Sequence, residues 1–495
     1  MNKLRKLTCL LLALVMVFAL ATTASAAEGE STITAPTDST RTYKVYQIFT
    51  GDLGENKVLS NVKWGQNSKL PEDKAVGDSV DETVLKALTS VNSTSEKEIL
   101  TEIEKYVDLN STPIGEVSNG STLSVANGYY LIKDAGPVNE GETYSRYIVN
   151  IVENITIAPK VSNVTFHKKI KDTNDTAGTT TDWQDSADYD IGDSVPFQLT
   201  GTVAADFAEY KSAYYFAFHD KMEPGLTFEP NSVKVYVGGT EISTGYTLIE
   251  NPDDGHTFDV VFEDLKGINT VHANSEITVE FTAKLNENAV LGKQGNKNEA
   301  QLEYSNKPYD EQGGTTHTKC DSVIAFTYQV VVNKYANEVK EGNERTGAEF
   351  TLEKKLANGD KKTIAVVKNE AGTTFTFKGL DDGDYILTET KTPSGFNTID
   401  PIEFTVTADH KVTWEGEDRK TILTNLNGTP TEAGLITFTP SVDTGTLSTD
   451  VINKSGSTLP ETGGMGTTLF YVLGGVLVLA AVVLLVTKKR MRSEN

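Results

Sequence analysis

The chain has 495 residues, with 69 acidic and 45 basic side chains and a net charge of −24. This excess of carboxylates excludes nucleic-acid binding as the main activity and favours a soluble surface outside the cell. The two cysteines are Cys9 and Cys320, and Cys9 lies in a predicted signal segment. Once that segment is removed no intramolecular disulfide is possible, which is unusual for an exported protein.

Residues 1–27 are predicted to be a secretory signal. Basic residues at the start are followed by an apolar run over 7–21 and by the small residues TTASAA. This order is typical of a cleaved signal, and we expect the cut after Ala26 or Ala27.

Residues 28–160 are predicted to form a first domain of strands with two added helices. The strand sequences are RTYKVYQIF, NGYYLIKD and YSRYIVNIVENITIAP. Between them, Ser79-x-x-Glu82 and Ser95-x-x-Glu98 each precede apolar residues at helical spacing, a pattern typical of a capped helix start.

Residues 161–327 and 328–458 are predicted to form two β-sandwich domains. Short alternating segments such as DSVPFQLTGTV, SEITVEFTAKL, TYQVVVNKYA and GDYILTET are separated by turns rich in Gly, Asn and Asp. Such spacing is typical of antiparallel sandwiches, and roughly 435 residues between the processed ends suit about three domains in series. The predicted fold class is therefore mainly β.

Residues 459–495 combine a short motif, an apolar run and a basic tail. The run is long enough to cross a bilayer as a helix, and the trailing Lys and Arg favour the cytoplasmic side. The motif directly before it is similar to the cell-wall sorting signal of Gram-positive surface proteins. It consists of Leu459, Pro460, Glu461, Thr462 and Gly463. The resemblance implies that a sortase cleaves between Thr462 and Gly463.

Two lysines lie on predicted apolar strand faces. Lys168 alternates with Phe166 and Ile170, and Lys334 alternates with Val332. A charged lysine on such a face is costly unless it is paired or neutralised. The alternative is that both side chains extend from the strand end into water.

Other polar residues are also predicted to lie on inward faces, where each domain could place an acid and an asparagine near its buried lysine. Asp220 shares a face with Phe218, and Asn298 shares one with Leu302. The third domain offers Asn453 in DVINKSG and Glu389 in YILTETKTPSGF.

Over essentially its whole length the sequence resembles a Gram-positive backbone pilin, the shaft subunit of sortase-assembled fimbriae. YILTETKTPSGF resembles the family's E-box, with Glu389 as its glutamate and Phe396 where tyrosine is usual. The resemblance implies tandem Ig-like domains of the Cna type with Lys–Asn isopeptide bonds. These would join Lys168 to Asn298 with help from Asp220, and Lys334 to Asn453 with help from Glu389.

The chemistry suits those residue types. Burial lowers the pKa of a lysine and raises that of a carboxyl group. A neutral amine attacks the asparagine amide, while a protonated carboxyl polarises its carbonyl and shuttles protons as ammonia leaves. By analogy with a disulfide that closes a loop of about 100 residues, each bond is worth about 4 kcal/mol or more. Such bonds would replace the missing disulfides.

The sequence leaves open which neighbouring residue forms each bond. Lys169 could replace Lys168, Asn296 could replace Asn298, and Asn425 could replace Asn453. A third bond between Lys44 and Asp134 of the first domain is the least favoured, because strand-end lysines usually lie on the surface.

Lys160 follows Pro159 at the predicted domain border. ITIAPK resembles the pilin motif whose lysine joins subunits, although Ala158 replaces the usual tyrosine and Ile151 the usual tryptophan. The resemblance implies that a sortase thioester on Thr462 of one subunit is resolved by Lys160 of the next; a plain surface lysine is the alternative. The implied partners are further copies of the chain, pilus and housekeeping sortases, peptidoglycan, and a ligand on a host or neighbouring cell.

No cofactor and no activity on an external substrate are predicted. The acidic stretch from Asp172 to Asp190 lacks the spacing of a Ca²⁺ loop, so a solvated turn is favoured over a calcium site. The six histidines show no metal-ligand spacing, and no catalytic triad stands out. Alternatives to a shaft pilin are a wall-anchored adhesin or accessory pilin that uses Thr462 but not Lys160, and a wall-anchored enzyme.

Overall fold

A computed structural model describes residues 30–37, 39–54, 59–91, 96–151, 153–158, 162–415, 418–456 and 465–491. In this part of the chain three successive groups of strands are followed by one C-terminal helix. The predicted mainly-β fold, with Ig-like domains in series, is confirmed. The predicted signal segment, Lys160 and the LPETG motif lie outside the described residues.

The first group holds eight described strands and two helices. They are β1 (Glu30–Thr34), β2 (Thr42–Leu53), β3 (Leu59–Trp64), α1 (Glu82–Ser90), α2 (Glu96–Ile103), β4 (Gly115–Ser118), β5 (Thr122–Ala126), β6 (Gly128–Asp134), β7 (Arg146–Ile151) and β8 (Ile155–Thr156). One sheet has the order β3-β2-β6-β7 with β4 also on β2, and the other has the order β5-β1-β8.

The two predicted helices are present, but the first begins differently from the capping-box expectation. Asp81, not Ser79, occupies the N-cap of α1, and Ser79 instead makes a bridge to Lys63. Ser95, the other predicted cap, lies outside the described residues. The apolar faces of α1 and α2 pack against a core that includes Phe49 and Trp64.

The middle group holds fifteen described strands. They are β9 (Phe166–Ile170), β10 (Thr173–Asn174), β11 (Thr179–Thr180), β12 (Ser186–Asp188), β13 (Ser194–Thr202), β14 (Phe216–Met222), β15 (Leu226–Phe228), β16 (Lys234–Val237), β17 (Thr240–Ile242), β18 (Thr247–Glu250), β19 (Phe258–Phe262), β20 (Glu276–Leu285), β21 (Asn296–Ser305), β22 (Thr315–His317) and β23 (Asp321–Phe326).

Two sheets of the middle group enclose one core. The first has the order β12-β23-β21-β14-β19-β18 with β22 on β21, and the second has the order β17-β16-β20-β13-β9 with β15 on β20. Alternate residues of each strand point inward, as in Phe216, Phe218 and Asp220 of β14, all of them buried. The inward faces carry the aromatic core and, within it, the charged groups described below.

The third group holds ten described strands and the C-terminal helix. They are β24 (Tyr328–Ala336), β25 (Glu349–Lys355), β26 (Lys361–Ile364), β27 (Val366–Lys368), β28 (Thr374–Leu380), β29 (Gly383–Lys391), β30 (Ile402–Glu415), β31 (Asp418–Pro430), β32 (Phe438–Ser441), β33 (Thr446–Asn453) and α3 (Met465–Met491).

The third group is a sandwich of two five-stranded sheets, β27-β28-β24-β33-β32 and β26-β25-β29-β30-β31. Its first and last strands, β24 and β33, are neighbours and run parallel, with Lys334 paired to Val451 and Ala336 to Asn453. This pairing brings the two ends of the sandwich side by side.

The middle and third groups are joined without a linker. Thr327 alone separates β23 from β24, and it is fully buried. Val323 and Ala325 of β23 point into the middle core, whereas Ile324 and Phe326 point into the third. One strand therefore contributes to both cores, which couples the two sandwiches mechanically.

Helix α3 is apolar along most of its length. Its segment Phe470–Arg490 has a mean hydropathy of 2.7 and is long enough to cross a membrane. Its last turn carries Lys488, Lys489 and Arg490. A helix of this kind fits a membrane anchor.

Candidate functional site: two buried lysine, asparagine and carboxyl sets

The first set lies in the core of the middle group. Asp220 and Asn298 occupy neighbouring strands β14 and β21, whose register pairs Met222 with Asn298. Lys168 comes from β9, the edge strand of the facing sheet, where it pairs with Leu199. The fold therefore brings Lys168, Asp220 and Asn298 inside, each with no exposed surface.

Lys168 is held by one acid and two rings. Its Nζ lies 2.5 Å from Asp220 Oδ2. It also lies 5.4 Å and 5.2 Å from the ring centres of Phe197 and Phe281, at distances that permit cation–π contact. The amine is thus fixed against the inner face of the sheet that carries Asn298.

Burial changes the protonation of this pair. It lowers the pKa of Lys168, although Asp220 partly opposes the effect. Burial also raises the pKa of Asp220 to about 6, with Lys168 again opposing. Both shifts make the uncharged amine and acid easier to reach than in water, as a nucleophile and its proton carrier require.

Asn298 has unused hydrogen-bonding capacity. Within the described residues, neither its Oδ1 nor its Nδ2 makes a hydrogen bond of regular geometry, although the amide lies close enough to Asp220 to oppose the rise in the pKa of that acid. Leaving a buried polar group in this state costs about 1–3 kcal/mol. Such a cost calls for an explanation at this position.

The structure separates the neighbours that the sequence left open. Lys169 points outward and forms an ion pair of 2.6 Å with Asp185. Asn296 is buried, but its Nδ2 donates to the Val290 and Ala325 carbonyls at 3.1 Å each and its Oδ1 accepts from Val290 N at 2.8 Å. Lys169 is therefore turned away from the core, and the Asn296 amide is already used by the backbone.

The second set lies in the third group, with a different division between sheets. Lys334 and Asn453 sit on the adjacent strands β24 and β33, and Glu389 projects from β29 of the facing sheet. Lys334 Nζ lies 3.9 Å from Glu389 Oε1 and donates to the Val451 carbonyl at 3.1 Å. Lys334 and Asn453 have no exposed surface, and Glu389 is buried.

The carboxyl group of Glu389 lies between the side-chain nitrogens of Lys334 and Asn453. Asn453 Nδ2 donates to Glu389 Oε2 at 2.9 Å and to the Asn397 carbonyl at 2.7 Å. Asn453 Oδ1 and Glu389 Oε1 make no hydrogen bond among the described residues. The acid thus contacts the nitrogen of the amide, whereas the sequence predicted contact with the carbonyl oxygen.

Burial lowers the pKa of Lys334 to about 8, with Glu389 opposing the effect. A substantial neutral fraction of the amine is therefore available near physiological pH. The rival Asn425 lies on β31 of the facing sheet, is exposed, and donates to Asp409 Oδ2 at 3.2 Å. It is separated from Lys334 by the sandwich.

The structure does not bring Lys44 and Asp134 together. Lys44 is exposed and lies 3.5 Å from Glu116. Asp134 is buried and instead forms an ion pair with Arg41. The register pairs Asp134 with Tyr43, so the side chain of Lys44 points to the opposite face.

Several acids between Asp172 and Asp190 pair with basic side chains of the third group, and the predicted solvated turn is wrong for Asp188 and Asp190, which are buried. Asp190 lies 3.5 Å from Lys354 and 2.9 Å from Lys362. His410 lies 3.6 Å from both Asp172 and Asp188. The acids therefore form a joint between sandwiches, a role the sequence analysis did not foresee because the partners are distant in the chain.

Three family models match successive parts of the chain. The Gram-positive pilin backbone subunit 2, Cna-B-like domain matches residues 191–308, and a SpaA prealbumin-like fold domain matches 329–420. The LPXTG cell wall anchor motif matches 452–495. The chain is a Gram-positive backbone pilin. It is anchored to the cell wall at the bacterial surface.

Similar proteins include a surface protein and two pilins of known structure. The trypsin-resistant surface T6 protein of Streptococcus pyogenes serotype M6 is 25% identical over 334 residues, which cover 55% of this pilin and 60% of that protein. The structure of the T6 backbone pilin has a TM-score of 0.53 at 20% identity, covering 86% of this chain and 98% of that one. The major pilin SpaD of Corynebacterium diphtheriae gives 0.50 at 18% identity, with the same coverage. At these identities the two structures show a shared fold.

The role of this pilin is structural, and pilins of this family are generally free of cofactors.

Proposed function

We propose that this pilin is the shaft subunit of a covalent fibre that supports adhesion and colonisation. Sortase joins Thr462 of one subunit to Lys160 of the next, and internal Lys168–Asn298 and Lys334–Asn453 bonds reinforce each subunit. The observation that supports this most is the complete burial of Lys168 against Asp220, facing the strand of Asn298. Burial lowers the pKa of Lys168 even though Asp220 is close, and an amide bond would remove the charge that burial disfavours.

The second set supports a defined proton path. Neutral Lys334 attacks the Asn453 amide carbon, and Glu389 Oε1 accepts the proton that the amine loses. The same carboxyl group then passes that proton to Nδ2, which leaves as ammonia. One C–N bond forms and one breaks, so the reaction needs no outside reagent.

The middle set achieves the same result from a different arrangement. Asp220 is 2.5 Å from the amine and adjoins the strand of Asn298, so it can take the proton of Lys168 directly. Its pKa of about 6 lets it pass that proton on. Bond formation would also use the Asn298 atoms that make no hydrogen bond in the described chain.

Subunit joining uses the two segments outside the described residues. A sortase thioester on Thr462 releases Gly463 with the apolar helix, and the Lys160 amine then resolves the thioester to an amide. The final transfer goes to peptidoglycan through a housekeeping sortase. The nearby residues Ile155 and Ile157 are buried in the first core.

The decisive experiment is a cell-wall extract boiled in SDS from a strain with its sortases intact. We expect a ladder of covalent multimers for the natural chain and monomer alone for Lys160→Ala. Lys169→Ala is the matched control, because that lysine is exposed and paired with Asp185, and it should leave the ladder unchanged.

An adhesin or accessory pilin predicts another pattern. In that case Thr462→Ala would release the protein from the wall, whereas Lys160→Ala would change nothing. Monomer alone in the natural strain would reject the shaft function.

A further inference from the structure

Three histidines that are far apart in the sequence, His219, His256 and His317, lie close together on the outer face of the middle group. On β14 the side chain of Asp220 points inward, and that of the preceding residue, His219, points outward, where it pairs with Asp259 of β19. The turn before β19 adds Asp254 and His256. His219, Asp254, His256 and Asp259 form a set that we name the histidine cluster.

The ligand atoms of the histidine cluster all lie within 4.8 Å of one another. His219 Nδ1 lies 2.8 Å from Asp259 Oδ1, and His256 Nδ1 lies 3.3 Å from the same oxygen and 3.1 Å from Asp254 Oδ2. Zinc bonds of 2.0–2.1 Å in a tetrahedron place neighbouring ligand atoms about 3.3–3.4 Å apart. The two separations made by His256 lie close to this value, whereas the 2.8 Å between His219 and Asp259 is a hydrogen-bond distance that would have to lengthen around an ion.

An ordinary ion-pair network explains only part of this geometry. Although burial opposes it, Asp259 and Glu303 raise the pKa of His219 to about 9, so a protonated His219 is satisfied between them. His256 is different, because its buried Nδ1 lies 3.1 Å from Asp254 and 3.3 Å from Asp259 but makes no hydrogen bond of regular geometry to either within the described residues. The nitrogen therefore lies between two carboxylates without being fixed to one of them, a position that a metal ligand can also occupy.

We propose that the histidine cluster binds one divalent transition-metal ion, with zinc as the best fit. His219 Nδ1, His256 Nδ1 and one oxygen each from Asp254 and Asp259 would complete four ligands. Two imidazoles and two carboxylates suit zinc better than calcium or magnesium, which prefer oxygen alone. The two acids also balance the charge of the ion.

The surroundings hold the ligands in place. His219 Nε2 lies 3.3 Å from Glu303 Oε2, so the ring can donate there while Nδ1 faces the metal. Carboxylates commonly orient metal-binding histidines in this way. Glu303 in turn accepts from Thr315 Oγ1 at 2.6 Å, and its Oε2 lies 3.8 Å from the half-exposed His317.

The turn that carries His256 is also anchored. Thr257 N donates to the Asp220 carbonyl at 2.7 Å, and Thr257 Oγ1 accepts from Met222 N at 2.9 Å. A bound ion would therefore tie this turn and β19 to β14, the strand that carries Asp220. Because zinc requires neutral histidines, binding should release protons and weaken at acid pH.

The test is a calorimetric titration of the full chain, in detergent and freed of metal, with Zn²⁺ near neutral pH. We expect one zinc per chain, checked by elemental analysis after dialysis. His256→Ala should weaken binding at least 10-fold, and Glu303→Gln by about 10- to 100-fold without changing the stoichiometry. His272→Ala is the control, because that histidine is exposed and outside the cluster.

His256 lies in a turn, so its replacement should leave the thermal midpoint of the metal-free chain unchanged. This measurement separates a lost ligand from a lost fold. The proposal is overturned if zinc does not bind in stoichiometric amount, or if His256→Ala binds as tightly as the natural chain. The proposal is also overturned if Ca²⁺ binds as tightly as Zn²⁺ and His256→Ala does not weaken that binding, because this would indicate an unspecific acidic surface.

Discussion

Glu389 Oε2 accepts a hydrogen bond of 2.9 Å from Asn453 Nδ2, the nitrogen that would leave as ammonia. The other carboxyl oxygen of Glu389 faces the amine of Lys334 at 3.9 Å. A single carboxyl group therefore lies between the two nitrogens. In the proposed reaction this position suits a proton shuttle between the nitrogens better than polarisation of the carbonyl.

The first prediction concerns mass. Residues 28–458 should weigh less than their sequence by two molecules of ammonia. Lys168→Ala and Lys334→Ala should each restore one ammonia, as read by intact-mass spectrometry with peptide mapping. Lys169→Ala serves as the control and should keep both losses. A chain of unmodified mass would end the proposal of internal bonds without affecting the test of Lys160.

The second prediction separates two asparagines on one face. Asn298→Ala should abolish the bond in the middle group. Asn296→Ala should keep the bond but lower the free energy of unfolding by about 1–3 kcal/mol, because the Val290 and Ala325 backbone groups lose their partner. Mass spectrometry and urea unfolding of both variants check this. Loss of the bond in Asn296→Ala alone would assign the reaction to the other residue.

The third prediction concerns the shuttle. Glu389→Gln keeps the size of the side chain but cannot take a proton from Lys334. We expect the bond in the third group to form at least 100-fold more slowly, in line with the contribution of general acid–base catalysis of about 10²–10⁴. The time course of the mass change after folding measures the rate. Glu403→Gln, at an exposed ion pair with Lys355, should have no effect.

The fourth prediction concerns pH and His410. Burial opposes the shift, but Asp172 and Asp188 raise the pKa of His410 to about 9, above its ordinary value of 6.5. The stabilisation is therefore complete below pH 6.5 and is lost as the pH rises through about 9. Across this pH range, we expect the free energy of unfolding of the natural chain to fall by about 1–3 kcal/mol more than that of His410→Gln.

Urea unfolding in the presence of a chelator measures this loss at each pH. Ser186 Oγ, which lies 2.7 Å from His410 Nδ1, and the ring of Phe326 also face the histidine. Since His219 titrates over the same range, His219→Gln is the matched comparison and should remove a separate part of the dependence. Identical pH profiles for His410→Gln and the natural chain would contradict the assignment.

The fifth prediction concerns the joint between sandwiches. Lys354 is fully buried, forms an ion pair with Asp381, and lies 3.5 Å from Asp190 of the middle group. Lys354→Met leaves those acids buried without their cation, and we expect it to lower the free energy of unfolding by about 3–5 kcal/mol. Lys355→Met removes an exposed pair with Glu403 and should cost at most about 1 kcal/mol. Equal midpoints of denaturation for the two variants would refute this.

Strand alternation carried much of the sequence analysis. It placed Lys168 and Lys334 on inward faces, because a period of two is a local property of the chain. It could not choose between Asn296 and Asn298, which share a face and are both buried; the choice depends on hydrogen bonds to Val290 and Ala325 that no local pattern encodes.

The remaining misses also involve distant partners. The histidine cluster draws on strands β14 and β19 and the turn between β18 and β19, so no ligand spacing is visible in the sequence. Ser79 fits a capping pattern, but its backbone forms a bridge with Lys63, so the helix begins at Glu82 with Asp81 as its N-cap. In β23, alternate residues serve two different cores, which a scheme of separate domains does not anticipate.

The parallel pairing of β24 and β33 has a consequence for how the fibre can diversify. With the proposed bond in place, tension enters along β24, crosses from Lys334 to Asn453, and leaves toward the sorting motif. Most of residues 337–452 then lie beside this covalent route, and the ion pairs of Lys354, Lys362 and His410 are their non-covalent ties to the middle group. Loops in that stretch could lengthen, vary under immune pressure or even be nicked, while the filament kept its tensile continuity.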